Sequence, residues 1–171
     1  MPPTIRPERP EDARAVWTVH EAAFGRPDEA RLVARLRQEV PVGVSLVAES
    51  AGRVIGHVFF SPVTIEGERS ARPAGALAPV AVLPGEQGRG TGGALIRAGI
   101  EASRALGWRL LFVLGDPAYY GRFGFERAAP HGLLYESHAF DGAFQVQELA
   151  PGALAGVTGF VRYPAAFAAL S

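Results

Sequence analysis

The chain has 171 residues, of which 48% are hydrophobic and 20% are charged, and its formal net charge is zero. This composition is typical of a folded globular protein and excludes a disordered chain, so we expect one domain over residues 1–171. The balanced charge disfavours a nucleic-acid partner. No leader pattern and no apolar run near ~18 residues is present, so we expect a cytoplasmic protein without a membrane partner.

All 17 basic residues are arginines, and the sequence contains neither lysine nor cysteine. Mechanisms that use a Schiff-base lysine or a Walker A lysine are therefore excluded. A thiolate nucleophile, a disulfide framework and a cysteine-based metal site are excluded as well. Since the four histidines are scattered along the chain, we expect no metal site.

The first half of the chain predicts one strand, two helices and a hairpin. Residues 4–8 form a short strand, and a helix runs from residue 11 to Gly25. Its inward face carries Ala13, Val16, Trp17, His20 and Phe24. A second helix begins at the N-cap Asp28, ends at Pro41 and buries Leu32, Val33 and Leu36. Residues 44–50 and 53–67 flank the turn Ala51-Gly52, which predicts a hairpin.

The second half begins with a loop over residues 68–75 and an apolar strand over 76–83. Pro79 removes a ladder donor inside this strand, which predicts a bulge or a local splay. A helix over 91–106 and a strand over 109–116 follow and complete a right-handed parallel unit. The predicted buried stripe of this helix is Leu95, Ile96, Gly99, Ile100, Ser103 and Leu106. The chain continues with a short helix over 117–124 and strands over 143–149 and 156–163.

The stretch LPGEQGRGTGG, residues 83–93, joins this strand to this helix and has three interpretations. Gly88-x-Gly90-x-x-Gly93 matches the dinucleotide fingerprint, with Asp116 placed to bond a ribose about 20 residues later. Four residues separate the strand from the first glycine, however, which that fingerprint does not allow. A plain tight turn is a second interpretation, but four glycines in six residues cost more chain entropy than a turn requires.

The third interpretation rests on three motifs. QGRGTG at 87–92 fits the pattern Gln/Arg-x-x-Gly-x-Gly/Ala, VAVLP at 80–84 precedes it, and YGRFGF at 120–125 follows the next strand. On these residues the chain resembles the GCN5-related N-acetyltransferase (GNAT) superfamily. VLGDPAYYGRFGF and GFVRYPAAF are most similar to the predicted acetyltransferases of the YhbS type. The resemblance implies an α/β fold with a mixed central sheet of about six to seven strands, flanked by helices and splayed between the fourth and fifth strands.

The same resemblance implies acetyl-CoA as the acyl donor. The glycine loop would present backbone N–H groups to the pyrophosphate at a helix N-terminus. The pantetheine arm would lie along the fourth strand as an added strand does. The implied cofactor-binding residues are Val80, Ala81, Val82, Gln87, Gly88, Arg89, Gly90, Thr91, Gly92, Gly93, Asp116 and Tyr120.

The implied reaction is direct attack of a primary amine on the thioester, with Tyr120 as the general acid for the leaving thiolate. The fourth strand carries no carboxylate, so His57, beside Ser61 on the preceding strand, is the candidate general base, and a chain of water molecules is an equal alternative. Asp116 stands where many members carry Asn, and it either touches the cofactor arm or caps a helix.

The resemblance leaves the acceptor and the assembly open. We expect a small-molecule amine as acceptor, with a protein amine as the other choice, and a homodimer is compatible with the resemblance. The alternative function is a catalytically inactive acyl-CoA-binding sensor or interaction module of the same fold.

Overall fold

The structure, a computed structural model, describes residues 2–67 and 73–170. Its helices are α1 (Ala13–Phe24), α2 (Asp28–Glu39), α3 (Thr91–Ala105) and α4 (Pro117–Tyr120). Its strands are β1 (Thr4–Pro7), β2 (Val44–Ser50), β3 (Arg53–Ile65), β4 (Ala74–Val82), β5 (Leu110–Leu114), β6 (Glu126–Arg127), β7 (Leu133–Tyr135), β8 (Phe144–Glu148) and β9 (Gly159–Arg162). The predicted elements occur in the predicted order, and two short strands, β6 and β7, are additional to them. None of these helices is both long and apolar enough to cross a membrane.

The chain divides into two compact units. The first contains residues 1–61, 78–99 and 164–171, and the second contains residues 62–77 and 100–163. Strands β3 and β4 and helix α3 contribute residues to both units. A single domain over residues 1–171 remains a prediction.

The first unit is a sheet covered on two faces. Its strands follow the order β1-β2-β3-β4, and β2 is antiparallel to both β1 and β3. Helices α1 and α2 bury Val16 and Leu36 against Phe59 of β3. The next residue, Phe60, points to the opposite face because side chains alternate along a strand. There α3 packs closely, since a Cβ on Gly99 would lie 2.0 Å from the Phe60 ring.

The second unit contains the parallel pair of the mixed sheet. Residues Ala74–Ala76 of β4 pair with Leu110–Phe112 of β5, and β5 and β6 are both antiparallel to β8. The parallel ladder ends at Ala76, although β4 continues to Val82 and β5 to Leu114, so the two strands separate as predicted. Strand β9 pairs with β3 and with β7, and the stacked rings of Phe112 and Phe144 lie in the core.

Some predicted boundaries and faces were wrong. Asp28 is the first residue of α2 and makes no capping bond, because Pro27 occupies the N-cap position. Phe24 is 42% exposed and Leu106 44% exposed, since each lies at or beyond the last turn of its helix, and Val19 is buried instead of Phe24. Strand β4 begins at Ala74, inside the predicted loop, of which residues 68–72 lie outside the described residues. Strands β6 and β7 were missed because two or three residues carry no periodic pattern.

Candidate active site

The glycine loop follows β4 through one turn of 3-10 helix at Pro84–Glu86. Gln87 Nε2 donates to the carbonyl oxygen of Val82 at 2.9 Å, which ties the start of the loop to the end of the strand. Gly88 and Gly90 have φ angles of +77° and +83°, a left-handed conformation that other residues adopt only with strain. A Cβ at either position would meet no atom within 4 Å, so the loop backbone faces open space.

The loop leads directly into helix α3. The first backbone hydrogen bond of α3 runs from the N–H of Ala94 to the carbonyl oxygen of Gly90 at 3.0 Å. The N–H groups of Thr91, Gly92 and Gly93 therefore have no acceptor within the helix. These groups and the helix dipole favour an anion at this end of α3. Arg89 is 70% exposed in its side chain and pairs with Glu86 at 3.2 Å. The geometry therefore fits a diphosphate held mainly by backbone groups.

Strand β4 approaches the loop with alternating burial. Ala81 is 5% exposed, whereas Val80 and Val82 are half-buried on the other face. Gly56 of β3 allows this close packing, because a Cβ there would lie 3.2 Å from the carbonyl oxygen of Ala81 and 3.4 Å from Cγ2 of Thr91. Thr91 itself is buried, so its side chain contributes to packing at the base of the loop.

In the second unit, Tyr120 is held by the turn that follows β5. Its backbone N–H donates to the carbonyl oxygen of Asp116 at 3.0 Å. Its ring lies directly on Gly115, where a Cβ would be 2.5 Å from the Tyr120 Cε2 atom. The rings of Tyr119 and Phe125 meet it edge to face at 5.0 and 6.0 Å. Burial, together with the neighbouring Tyr119, raises the pKa of Tyr120 to about 12, so the hydroxyl keeps its proton at neutral pH.

Asp116 is the N-cap of α4. Its Oδ1 accepts a hydrogen bond from Ala118 N at 2.9 Å, so the capping role considered from the sequence is confirmed. The other suggested role of Asp116, a contact with the cofactor arm, remains a prediction.

The placement of His57 corrects the choice of general base. The side chain is fully buried on β3, with Nδ1 2.8 Å from Nε2 of His20 and Nε2 2.8 Å from Oγ of Ser45. Ser45 in turn donates to Glu8 Oε1 at 2.7 Å. Burial lowers the pKa of His57 well below its usual value, and the neighbouring His20 acts in the same direction. An enclosed imidazole with both nitrogens bonded offers no free nitrogen to an incoming ammonium group, so we do not retain His57 as the base.

Among residues 2–67 and 73–170, no three His, Cys, Asp or Glu side chains are grouped so that they could hold a metal ion.

The predicted site residues are divided between the two units. The first unit carries Val80, Ala81, Val82, His57 and the glycine loop. The second unit carries Asp116 and Tyr120.

The sequence did not single out two residues that hold this part of the chain. Gly115 lies under the tyrosine ring, and Gln145 of β8 donates to the Gly115 carbonyl oxygen at 3.1 Å. The available signal was a glutamine between the apolar residues Phe144 and Val146, which alone does not identify its partner.

The chain is similar to several acetyltransferases. The family described as acetyltransferase (GNAT) domain matches residues 4–128. The N-acetyltransferase YhbS of Escherichia coli strain K12 is 41% identical over 160 residues, covering 93% of this chain and 95% of YhbS. The 1.55 Å crystal structure of Escherichia coli YhbS in complex with CoA has a TM-score of 0.92 and 38% identity, covering 100% of this chain and 94% of that one. A GNAT family acetyltransferase of Brucella melitensis in complex with acetyl-CoA has a TM-score of 0.78 and 39% identity, covering 96% and 97%.

Proposed function

The chain belongs to the GNAT superfamily of acetyltransferases, and from that membership we propose that it transfers the acetyl group of acetyl-CoA to a small-molecule primary amine. The observation that carries the proposal is the glycine loop at the N-terminus of α3, since its open backbone N–H groups suit a diphosphate. The crystal structures of the Escherichia coli and Brucella melitensis relatives hold CoA and acetyl-CoA.

The donor is bound by backbone more than by side chains. Gly88, Gly90 and the first N–H groups of α3 take the pyrophosphate, and the Gln87 side chain keeps the loop on the end of β4. Val80 and Val82 lie beyond the last β4 residue paired with β5, so backbone groups on the edge of β4 that faces away from β3 can bond the pantetheine arm as they would an added strand. One backbone N–H of this strand polarises the acetyl carbonyl group.

The amine attacks the thioester carbon directly. The new C–N bond forms as the C–S bond breaks, the amine loses one proton, and CoA leaves as a thiolate. Because the chain has no cysteine, no acyl-thioester intermediate on the protein precedes this step. With His57 enclosed, the amine proton leaves through water.

Tyr120 stabilises the leaving thiolate. With its pKa raised to about 12, full proton transfer to a thiolate whose conjugate acid has a pKa of about 8.5 is uphill by roughly 5 kcal/mol. The same raised pKa keeps the hydroxyl protonated, so it can donate a hydrogen bond to the sulfur as negative charge develops. Tyr120 is thus a hydrogen-bond donor in the transition state, and water supplies the proton afterwards.

Steady-state release of CoA thiol across a panel of small primary amines tests this proposal. The absence of cysteine means that a thiol reagent reports CoA alone, and the absence of lysine removes side-chain self-acetylation as a background reaction. We expect turnover with at least one amine and none with the corresponding tertiary amine. CoA binding without turnover on any small or peptide amine would instead identify an acyl-CoA-binding module.

Replacing Tyr120 with Phe tests the role of the hydroxyl. We expect kcat to fall by roughly 100-fold, as is usual on loss of one hydrogen-bond donor to the charge that develops in the transition state, with the dissociation constant for CoA unchanged. The matched control is Tyr119→Phe, which removes the same hydroxyl one residue away and is expected to retain kcat. A Tyr120→Phe variant with wild-type kcat would contradict the assignment.

A further inference from the structure

Strand β8 carries a buried amide beside the tyrosine turn. Gln145 is 1% exposed and lies opposite Val113 of β5. Its Nε2 donates to the carbonyl oxygens of Gly115 and Ala143 at 3.1 and 3.2 Å. Since both neighbours are acceptors, the NH₂ end of the amide must face them, and the orientation of the side chain is determined.

Gly115 is consequently held at both of its backbone polar groups by β8 and the residue that precedes it. Its N–H donates to the Ala143 carbonyl oxygen at 3.0 Å, and its own carbonyl oxygen accepts from Gln145. The ring of Tyr120 rests on this residue, at a distance that leaves no room for a side chain on Gly115. The position of the tyrosine ring therefore depends on the position of the Gly115 backbone.

A second glutamine lies two residues further along β8. The amide nitrogen of Gln147 lies 2.8 Å from the place where a Cβ of Gly124 would be. Gln145 and Gln147 share one face of the strand, because side chains alternate, and they lie against the two ends of the segment 115–124. The opposite face, which carries Phe144 and Val146, belongs to the apolar core.

Burial of the two glutamine amides on this face costs free energy. The Oε1 atoms of Gln145 and Gln147 are buried and find no hydrogen-bond partner within the described part of the chain. An apolar side chain of similar length at position 145 would avoid that cost but would leave the Gly115 carbonyl oxygen without this donor. The donor is thus the property that distinguishes glutamine from an apolar residue here.

We propose that Gln145 is a positioning residue, which sets the place of the Tyr120 hydroxyl by holding the Gly115 carbonyl group. The proposal rests on the proposed role of Tyr120. Loss of the amide donor releases the Gly115 carbonyl group, and the ring that lies on Gly115 moves with it. Because the displaced group acts in the transition state, kcat falls while the affinity for acetyl-CoA does not.

A double-mutant cycle on kcat tests the proposal with Gln145→Met, Tyr120→Phe and the combined variant. We expect Gln145→Met to lower kcat roughly tenfold, as on loss of a buried hydrogen bond, with KM for acetyl-CoA within about twofold of the wild type. In the Tyr120→Phe background the same substitution should have no further effect, because the hydroxyl that it positions is gone. The matched control is Gln38→Met on the exposed face of α2, which should leave kcat unchanged.

The outcomes separate the two proposals. Wild-type kcat in Tyr120→Phe would overturn the role of the tyrosine and the positioning role with it. A low kcat in Tyr120→Phe would support the role of the tyrosine hydroxyl. In that case the positioning role alone would be overturned if Gln145→Met kept full kcat, or if it lowered kcat equally in the wild-type and Tyr120→Phe backgrounds.

A second variant decides the matter if Gln145→Met does not fold. In Gln145→Glu the ionised carboxylate can only accept hydrogen bonds, whereas the protonated form can donate to the Gly115 carbonyl oxygen. The ratio of its kcat to that of the wild type should therefore rise as the pH is lowered from 8 to about 6, since burial raises the pKa of a carboxyl group. A ratio that does not change with pH overturns the proposal.

Discussion

The buried pair His20 and His57 makes the stability of this protein sensitive to mild acid. Ser45 donates to Glu8, so it must accept from Nε2–H of His57, whose Nδ1 then accepts from Nε2–H of His20. This order of donors leaves Nδ1 of His20 as a bare acceptor, fully buried and without a partner among the described residues. A proton added at this nitrogen would find no hydrogen-bond acceptor.

The expected magnitude follows from the pKa of His20. The pKa of His20 is lowered from 6.5 to about 4, and burial is the main cause. Glu29 opposes this shift, and Arg37 acts in the same direction as burial. Above the unfolded-state pKa of 6.5, neither the folded nor the unfolded protein binds the proton. As the pH falls from 6.5 toward the folded-state pKa, the unfolded state binds the proton first, so the folded state loses stability. The loss at pH 4.5 is about 2.5 kcal/mol for His20. His57, whose pKa is also lowered, adds to the loss in the same direction.

Urea unfolding at pH 7.5 and pH 4.5, followed by the fluorescence of the two tryptophans, measures this loss. At pH 4.5 the carboxylate of Asp12 still contributes its full stabilisation. Its pKa is lowered to about 2 by Arg6, so this contribution declines only below about pH 4. In His20→Gln the change in unfolding free energy between the two pH values should shrink by about 2.5 kcal/mol.

The matched control is His138→Gln, because the His138 side chain is 79% exposed and its loss removes one imidazole without opening the core. It should show the pH dependence of the wild type. Equal pH dependence in His20→Gln and the wild type would refute the argument from burial.

Two further predictions concern the reaction and the donor site. The kcat/KM for an amine should keep rising with pH through 9 and 10 as the amine loses its proton, because Tyr120, with a pKa raised to about 12, stays protonated over that range. A decline centred near pH 9 that disappears in Tyr120→Phe would show that this hydroxyl ionises earlier. Gly90→Ala should raise KM for acetyl-CoA roughly 5- to 30-fold, since a side chain at φ +83° strains the loop by about 1–2 kcal/mol. Gly52→Ala places the same strain at φ +76° in the β2–β3 turn and should leave that KM unchanged, and an equal effect of both on KM would contradict a direct role of the loop.

Local signals account for the parts of the fold that were predicted correctly. The glycine loop, the helix after it and the cap at Asp116 are each specified within a few residues, by positive φ angles and by a side chain that bonds its own backbone. A bulge or local splay was likewise predicted from Pro79 within the strand, and the family resemblance placed the splay between the fourth and fifth strands, where β4 and β5 separate.

Tertiary structure decided what single side chains do. His57 was a plausible base while only its strand was known, but its register opposite Val47 on β2 and the packing of α1 enclose it beside His20. Gln145 has no local partner apart from Ala143, and its contact with Gly115 exists only because β8 pairs with β5 across thirty residues of chain. The sequence alone determined the conformation of the glycine loop, from which an anion site is predicted, since backbone conformation is a short-range property. Which buried polar groups meet was decided by strand pairing and helix packing, because these bring together residues that are distant in the chain.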